Sequence, residues 1–300
     1  MNILLFGANG QVGWELQRSL SSLGRLTAPD RSQADLEQPL QALIERARPD
    51  VIVNAAAYTN VDQAEAEPAR ALRINASAVA EMAQAASAIG ALLVHYSTDY
   101  VFDGEKSAPY REDDPTGPIN TYGRSKLAGE EAIRAVAGCR HLIFRTSWVY
   151  AARGRNFART ILQRAQAMDQ LQVVADTSGV PTSAELLADV TALALYRERL
   201  GRAGAMGAAP ELLGTFHLVP SGQTTWHEYA CFLIELARAR GMPIRVSTQN
   251  ILPVPASTFR APARRPLNSR LDNRRLQQGL AIELPDWRVH VCRFVEQIPG

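Results

Sequence analysis

The stretch Asn2-Ile3-Leu4-Leu5-Phe6-Gly7-Ala8-Asn9-Gly10-Gln11-Val12-Gly13 decides the fold. Residues 2–6 form a short, mostly apolar run without polar alternation, the pattern of a strand covered on both faces. Gly7, Gly10 and Gly13 follow in G-x-x-G-x-x-G spacing. Val12, Leu16 and Leu20 then repeat at helical intervals across residues 11–22. A glycine turn between strand and helix lets backbone N–H groups approach a pyrophosphate at the helix N-terminus, where the dipole favours negative charge.

The same rhythm recurs further along. Strand-like runs lie around Leu26, closed by Pro29, and at residues 51–54, 91–96 and 141–145, with helical patterns at 36–47, 69–89 and 122–136. That order predicts an α/β fold with a doubly wound (Rossmann-like) parallel sheet. After Trp148 the rhythm loosens. Helices are expected at 156–167, 184–197 and 225–240, a strand at 215–219, a small-residue linker at 201–210 and a Pro/Arg-rich irregular segment at 253–266. The expected division is a nucleotide-binding domain over 1–148 and a smaller, mixed, mainly substrate-binding lobe over 149–300. Some elements of the second part are expected to return to the main sheet.

Composition excludes several classes. The chain has 300 residues, 46% hydrophobic and 21% charged, and a formal charge of only +2, so no nucleic-acid or membrane partner is expected. No apolar run approaches the ~18 residues of a membrane span. The N-terminus opens directly into the first strand, and Cys139, Cys231 and Cys292 are odd in number and widely spaced. Both features suit a reducing cytoplasm. Only two lysines, Lys106 and Lys126, stand among the 32 basic residues. A lysine surviving in so arginine-rich a chain points to a task that needs a compact charge on a flexible stem.

Tyr122-Gly123-Arg124-Ser125-Lys126 gives Y-x-x-x-K at an expected helix start, with Asn120 or Thr121 as cap. Positions i and i+4 share a helix face, so phenol and ammonium can approach one ligand together. A cation nearby is expected to make the phenol more acidic. With eight tyrosines and two lysines in 300 residues, the spacing arises by chance only about 0.05 times, so it is informative. Tyr96-Ser97-Thr98-Asp99 follows the fourth strand, where ligands of open α/β sheets bind, and the Thr98 hydroxyl can bond a carbonyl oxygen. Asp30, about 20 residues beyond the glycines, suits a ribose hydroxyl, whereas Arg31 suits a 2′-phosphate. The pair points both ways between NADH and NADPH. His227-Glu228 lacks the second histidine of a zinc-protease motif, and His95, His141 and His217 read as structural.

These residues resemble the extended branch of the short-chain dehydrogenase/reductase superfamily. Several runs are similar, more closely, to the dTDP-4-dehydrorhamnose reductases: residues 1–7, 10–16, 53–59, 96–102, Arg145-Thr146-Ser147-Trp148-Val149-Tyr150 and Asn268-Ser269-Arg270-Leu271. The resemblance implies reduction of a dTDP-linked 4-ketosugar by NADPH or NADH. By position it implies Gly7, Gly10, Gln11 and Val12 at the pyrophosphate, Asp30 at the ribose, and Asp35 and Leu36 by the adenine. Ala57, Tyr58, Thr59 and Tyr96 would lie along the cofactor. Tyr122 would donate the proton, Lys126 would activate it, and Thr98 would polarise the carbonyl. Asp99 and Trp148 would meet the sugar. Among Arg260, Arg264 and Arg265, the last is the best candidate for the diphosphate. The resemblance also implies a magnesium-linked homodimer through Glu15 and Glu185, although two carboxylates alone are a thin basis for a metal site. The alternatives are another extended nucleotide-sugar reductase or epimerase, or a non-catalytic nucleotide-binding regulatory subunit.

Overall fold

The computed structural model describes residues 1–202 and 212–298. Its first half runs β1 (Asn2–Phe6), α1 (Gln11–Leu20), β2 (Arg25–Thr27), α2 (Gln41–Ala47), β3 (Val51–Asn54), α3 (Val61–Ala66), α4 (Pro68–Leu72), a π-helical turn (Arg73–Ser77), α5 (Ala78–Ile89), β4 (Leu92–Thr98), α6 (Thr121–Ala135) and β5 (Arg140–Thr146). Then follow β6 (Val149–Tyr150), α7 (Phe157–Ala167), β7 (Leu171–Val174), β8 (Ser178–Gly179), β9 (Thr182–Ser183), α8 (Ala184–Arg202), β10 (Gly214–His217) and β11 (Thr224–Thr225). The chain continues through α9 (Trp226–Ala239), β12 (Ile251–Val254), α10 (Arg274–Leu280) and α11 (Trp287–Gln297).

Six strands form one parallel sheet in the order β10-β5-β4-β3-β1-β2. The expected doubly wound α/β fold is therefore present, and β10 is an element from the second half that returns to the sheet. Because successive strand residues point to opposite faces, each strand feeds two cores. Leu4, Ile52, Leu93 and Ile143 pack with Ile44 of α2, Met82 of α5 and Ile133 of α6. Leu5, Val53, Val94 and Phe144 pack with Leu16 of α1, Leu187 of α8 and Leu276 of α10. A third core, around Tyr150, Tyr229 and Trp287, belongs to α7, α9, α11 and their short strands.

Several boundaries depart from expectation. The helix expected over 36–47 starts only at Gln41, because Asp35 and the residues around it form turns and Leu36 is buried as an anchor. The helix expected over 69–89 is interrupted by the π-turn, which carries buried Asn75. Its carboxamide accepts from the Tyr58 N–H (2.8 Å) and donates to the Tyr58 carbonyl (3.0 Å) and to Ser125 Oγ (2.9 Å). One widened turn thus ties the segment after β3 to α6, and tertiary bonds outweigh local helical preference. Residues 203–210 of the expected linker lie outside the described residues. Within 253–266, Pro253 ends up in β12, paired with β7. No helix among the described residues is long and apolar enough to cross a membrane.

Buried Glu130 of α6 and Arg145 of β5 form a two-pronged pair at 2.9 and 2.7 Å, with Arg134 adding a contact at 3.1 Å. Burial alone would raise the carboxyl's pKa, but the hydrogen bonds and charge of Arg145 outweigh it and hold the value below the ordinary 4.5. Its stabilisation is therefore present above that value and lost as pH falls through the lowered folded one. Glu130→Ala strands a buried guanidinium and is expected to cost about 3–5 kcal/mol, read from urea unfolding at neutral pH. The deficit relative to wild type should shrink as the pH is taken below 4.5.

Candidate active site

A cleft of about 760 Å³ runs across the carboxyl ends of the sheet strands. In an open α/β sheet this is where ligands bind, because the crossover connections leave a crevice there.

At one end lies the glycine turn. Gly7 has φ +81°, and a Cβ there would sit 2.6 Å from the Ala56 nitrogen. A Cβ at Gly13 would lie 2.0 Å from the Gly7 carbonyl oxygen. No other residue type fits this close approach. Gly10 is the N-cap of α1 and has no side chain to occupy the free first-turn amides, which remain available to an anion. Arg153, Gly154, Arg155 and Asn156 form the opposite bank. Asn156 Nδ2 donates to Gln11 Oε1 at 2.8 Å, and the Arg153 guanidinium lies 3.9 Å from the centre of the Trp14 ring. Asp30, Arg31, Asp35 and Leu36 line the far end. The Asp30 carboxylate accepts from the Ser32 N–H (2.8 Å) and hydroxyl, which hold its pKa below the usual range. Arg31 meets Glu37 at 2.8 Å and Asp35 at 3.6 Å.

At the other end Thr98, Asp99, Tyr122, Lys126 and Trp148 face the same cleft. Asn120, not Thr121, caps α6, its Oδ1 accepting from the Gly123 N–H at 2.7 Å. Burial pushes the Tyr122 phenol up to about 12, partly opposed by a hydrogen bond with the Thr98 hydroxyl; the charge of Asp99 adds to the rise. The expected acidification by Lys126 is thus not what governs the phenol. The Lys126 Nζ is instead held by the Tyr96 carbonyl at 2.6 Å and by His95 Nε2 at 3.2 Å. Burial brings Lys126 down to about 8, with Glu130 pulling the other way. Asp99 is pushed up to about 7 by burial, against hydrogen bonds with Ser269 and Thr98. Trp148 sits at φ +48°, a backbone conformation costly for a bulky residue, and its ring stacks on Trp226 at 3.6 Å.

Ala57, Thr59 and Tyr96 also line the cleft. Tyr58 does not: its hydroxyl donates to Glu67 (2.8 Å) and its backbone is taken by Asn75. Arg265 does not line the cleft; it is paired with Asp62 at 2.8 Å and in contact with Tyr100, which does. Glu15 and Glu185 do share one small recess, and burial, then the charge of Glu185, raises the Glu15 carboxyl. Arg293 (3.3 Å) and Gln297 (2.6 Å) occupy Glu185, while Arg18 lies 3.6 Å from Glu15. No group of three or more His, Cys, Asp or Glu side chains arranged to hold a metal occurs among the described residues. Two carboxylates already met by guanidinium groups do not fit a six-coordinate magnesium ion.

Sequence reasoning missed Arg153, Arg155, Asn156 and Trp226. The Arg-Gly-Arg run at 153–155 was a visible signal, whereas nothing local marks Trp226, which only the lobe's packing brings to Trp148.

Comparison with known proteins places this geometry. The family model described as the RmlD substrate binding domain matches residues 1–299. A dTDP-4-dehydrorhamnose reductase of Burkholderia thailandensis is 50% identical, over 99% of both chains, and that of Escherichia coli K12 is 48% identical, over 99% of this chain and 98% of its own. The crystal structure of a Bacillus anthracis dTDP-4-dehydrorhamnose reductase in complex with NADP superposes with a TM-score of 0.86 at 32% identity, covering 98% of each chain. A Thermus thermophilus UDP-glucose 4-epimerase at 18% identity, TM-score 0.80, shares the fold. With the family model spanning nearly its whole length and these identities, the chain belongs to the dTDP-4-dehydrorhamnose reductase family.

Proposed function

We propose that the cleft binds NADPH or NADH beside a dTDP-linked ketosugar. The protein then reduces the C4 carbonyl of dTDP-4-dehydro-6-deoxy-L-mannose to give dTDP-L-rhamnose. The observation that carries this reading is the gathering of Thr98, Tyr122 and Lys126 in one cleft with the glycine turn at its other end. The name and NADP complex of the relatives support it. Residues 1–148 supply most of the dinucleotide end, and the later lobe supplies Trp226 and the Arg153–Asn156 bank. The unpaired cysteines agree with a cytoplasmic location.

The free amides of α1 and the flanking Arg153 and Arg155 suit a pyrophosphate, and Asp30 suits the ribose. When bound, the reduced nicotinamide supplies the hydride that C4 receives. The protein does the rest. The Thr98 hydroxyl, which donates to Asp99 Oδ1 at 3.1 Å, turns its proton to the carbonyl oxygen when the sugar is bound, and Tyr122 gives its proton to that oxygen as it becomes an alkoxide. A phenol raised to about 12 stays protonated at neutral pH, as a proton donor must, and an alkoxide is basic enough to take that proton. Asp99, and Trp148 backed by Trp226, offer a polar and an aromatic wall to the sugar. Arg265, reached through Tyr100, would turn to the diphosphate only by exchanging its Asp62 partner.

The direct test is incubation with dTDP- and GDP-linked 4-ketosugars and each reduced dinucleotide, following nicotinamide absorbance. Oxidation is expected with the dTDP-linked 4-dehydrorhamnose; oxidation with only a different sugar nucleotide would assign another reductase. Tyr122→Phe should lower kcat by about 10²–10⁴-fold while leaving dinucleotide affinity near wild type. Wild-type turnover in that variant would remove Tyr122 from the mechanism. Lys126→Arg is expected to weaken dinucleotide binding as well as turnover, measured by fluorescence titration, because a guanidinium cannot take the same buried point contact. Because Arg18 already meets Glu15 and Arg293 and Gln297 already occupy Glu185, EDTA is expected to change neither turnover nor the sedimentation profile. Loss of either on chelation would restore the metal.

A further inference from the structure

The Lys126 amino group has a neighbour to which the mechanism assigns no part. Strands β3 and β4 pair in register with Asn54 beside His95, and both side chains are buried. The Ala56 N–H donates to Asn54 Oδ1 at 3.1 Å, which turns the carboxamide nitrogen towards His95 Nδ1, also at 3.1 Å. An amide nitrogen only donates, so Nδ1 accepts, and a neutral imidazole then carries its one proton on Nε2. Burial and the charge of Lys126 keep that ring neutral, well below its ordinary pKa. The Nε2 proton is therefore aimed at Lys126 Nζ, 3.2 Å away.

An ammonium has donors and no acceptor. Two donors facing one another are satisfied only when Nζ has given up a proton and offers a lone pair. The remaining N–H groups still serve the Tyr96 carbonyl. Among the described residues, the charged groups on the elements packed against the contact already have partners. Glu130 lies one turn along α6 and is engaged by Arg134 and by Arg145 from β5. Glu65 of α3 is taken by Thr121, Arg73 at the π-turn is paired with Glu81, and Asn75 there is neutral. Tyr122 and Asp99 lie on the cleft side.

We propose that His95, oriented by Asn54, is a positioning residue for the reduction that fixes the Lys126 amino group and stabilises its neutral form after proton transfer. The inference rests on the reductase reading. Its proton balance is closed. The Tyr122 O–H bond breaks as the sugar O4–H bond forms; an Nζ–H bond of Lys126 then breaks as the phenolate recovers its proton through water in the cleft that both residues line. His95 keeps its own proton and donates it as a hydrogen bond to the new amine, which is recharged from solvent before the next turnover. No oxidant or reductant beyond the dinucleotide is needed.

The test combines histidine NMR with kinetics of His95→Phe and His95→Gln. In the ¹⁵N-histidine-labelled protein without dinucleotide, the signal absent from the His95→Gln spectrum should be that of a neutral ring protonated on Nε2. His95→Phe should bind NADPH nearly as wild type and keep its sugar KM, while kcat falls about tenfold or more through loss of alignment. His95→Gln can offer an amide oxygen to the ammonium; it should recover part of kcat and move the basic limb of the kcat–pH profile upwards. A ring protonated on Nδ1, or wild-type kcat and pH profile in the glutamine variant, overturns the role of His95 while leaving the reductase reading intact. A wild-type protein that reduces no ketosugar overturns that reading and this inference with it.

Discussion

Helix α6 lies so close to its neighbours that two of its positions admit no side chain. A Cβ at Gly123 would stand 2.1 Å from the Tyr100 carbonyl oxygen, and one at Gly129 would stand 2.1 Å from that of Asn75. This close docking depends on the π-turn, which presents Asn75, and on the Glu130–Arg145 pair, which fastens α6 to β5. Everything at the chemical end of the cleft follows from it. Tyr122 and Lys126 share the face of α6 that meets the end of β4, and their burial sets their proton affinities in opposite directions.

Burial governs the site more than pairwise charge does. It keeps Tyr122 protonated and leaves Lys126 within reach of losing its proton near neutral pH. Those states suit the proton donor and the proton source proposed for Tyr122 and Lys126. The composition bears on the same point. In an arginine-rich chain, Lys106 lies near the surface against Asp114, while Lys126 is almost fully enclosed between a carbonyl oxygen and an imidazole. A permanently charged, planar guanidinium has neither the size nor the titration behaviour for that position.

Much of this was legible in the chain itself. The Asn2–Phe6 run with its three glycines marks β1, the turn and α1, and the four-residue spacing of Tyr122 and Lys126 marks one face of α6. Periodicity also lay unused at Trp287, Val291, Phe294 and Val295, which line the buried side of α11. Other features depend on contacts remote in sequence. The break in the helix around Asn75 comes from bonds to Tyr58 and Ser125, and Trp226 reaches Trp148 only because the lobe folds back. His95 reads as a structural histidine until strand register sets Asn54 beside it and α6 lowers Lys126 onto its other nitrogen. The Tyr122 phenol is a related case: spacing reveals a shared face of α6, but not that the ammonium turns towards β4 and leaves burial to raise the phenol.

The position of the dinucleotide decides whether this cleft works as described, and a crystal structure of the protein with NADPH bound shows it. The pyrophosphate is expected over the first-turn amides of α1, the adenosine end at Asp30 and Arg31, and the nicotinamide beside Tyr122 and Lys126. A dinucleotide lying elsewhere, or a nicotinamide ring out of reach of the Tyr122 hydroxyl with the ketosugar between them, would contradict it.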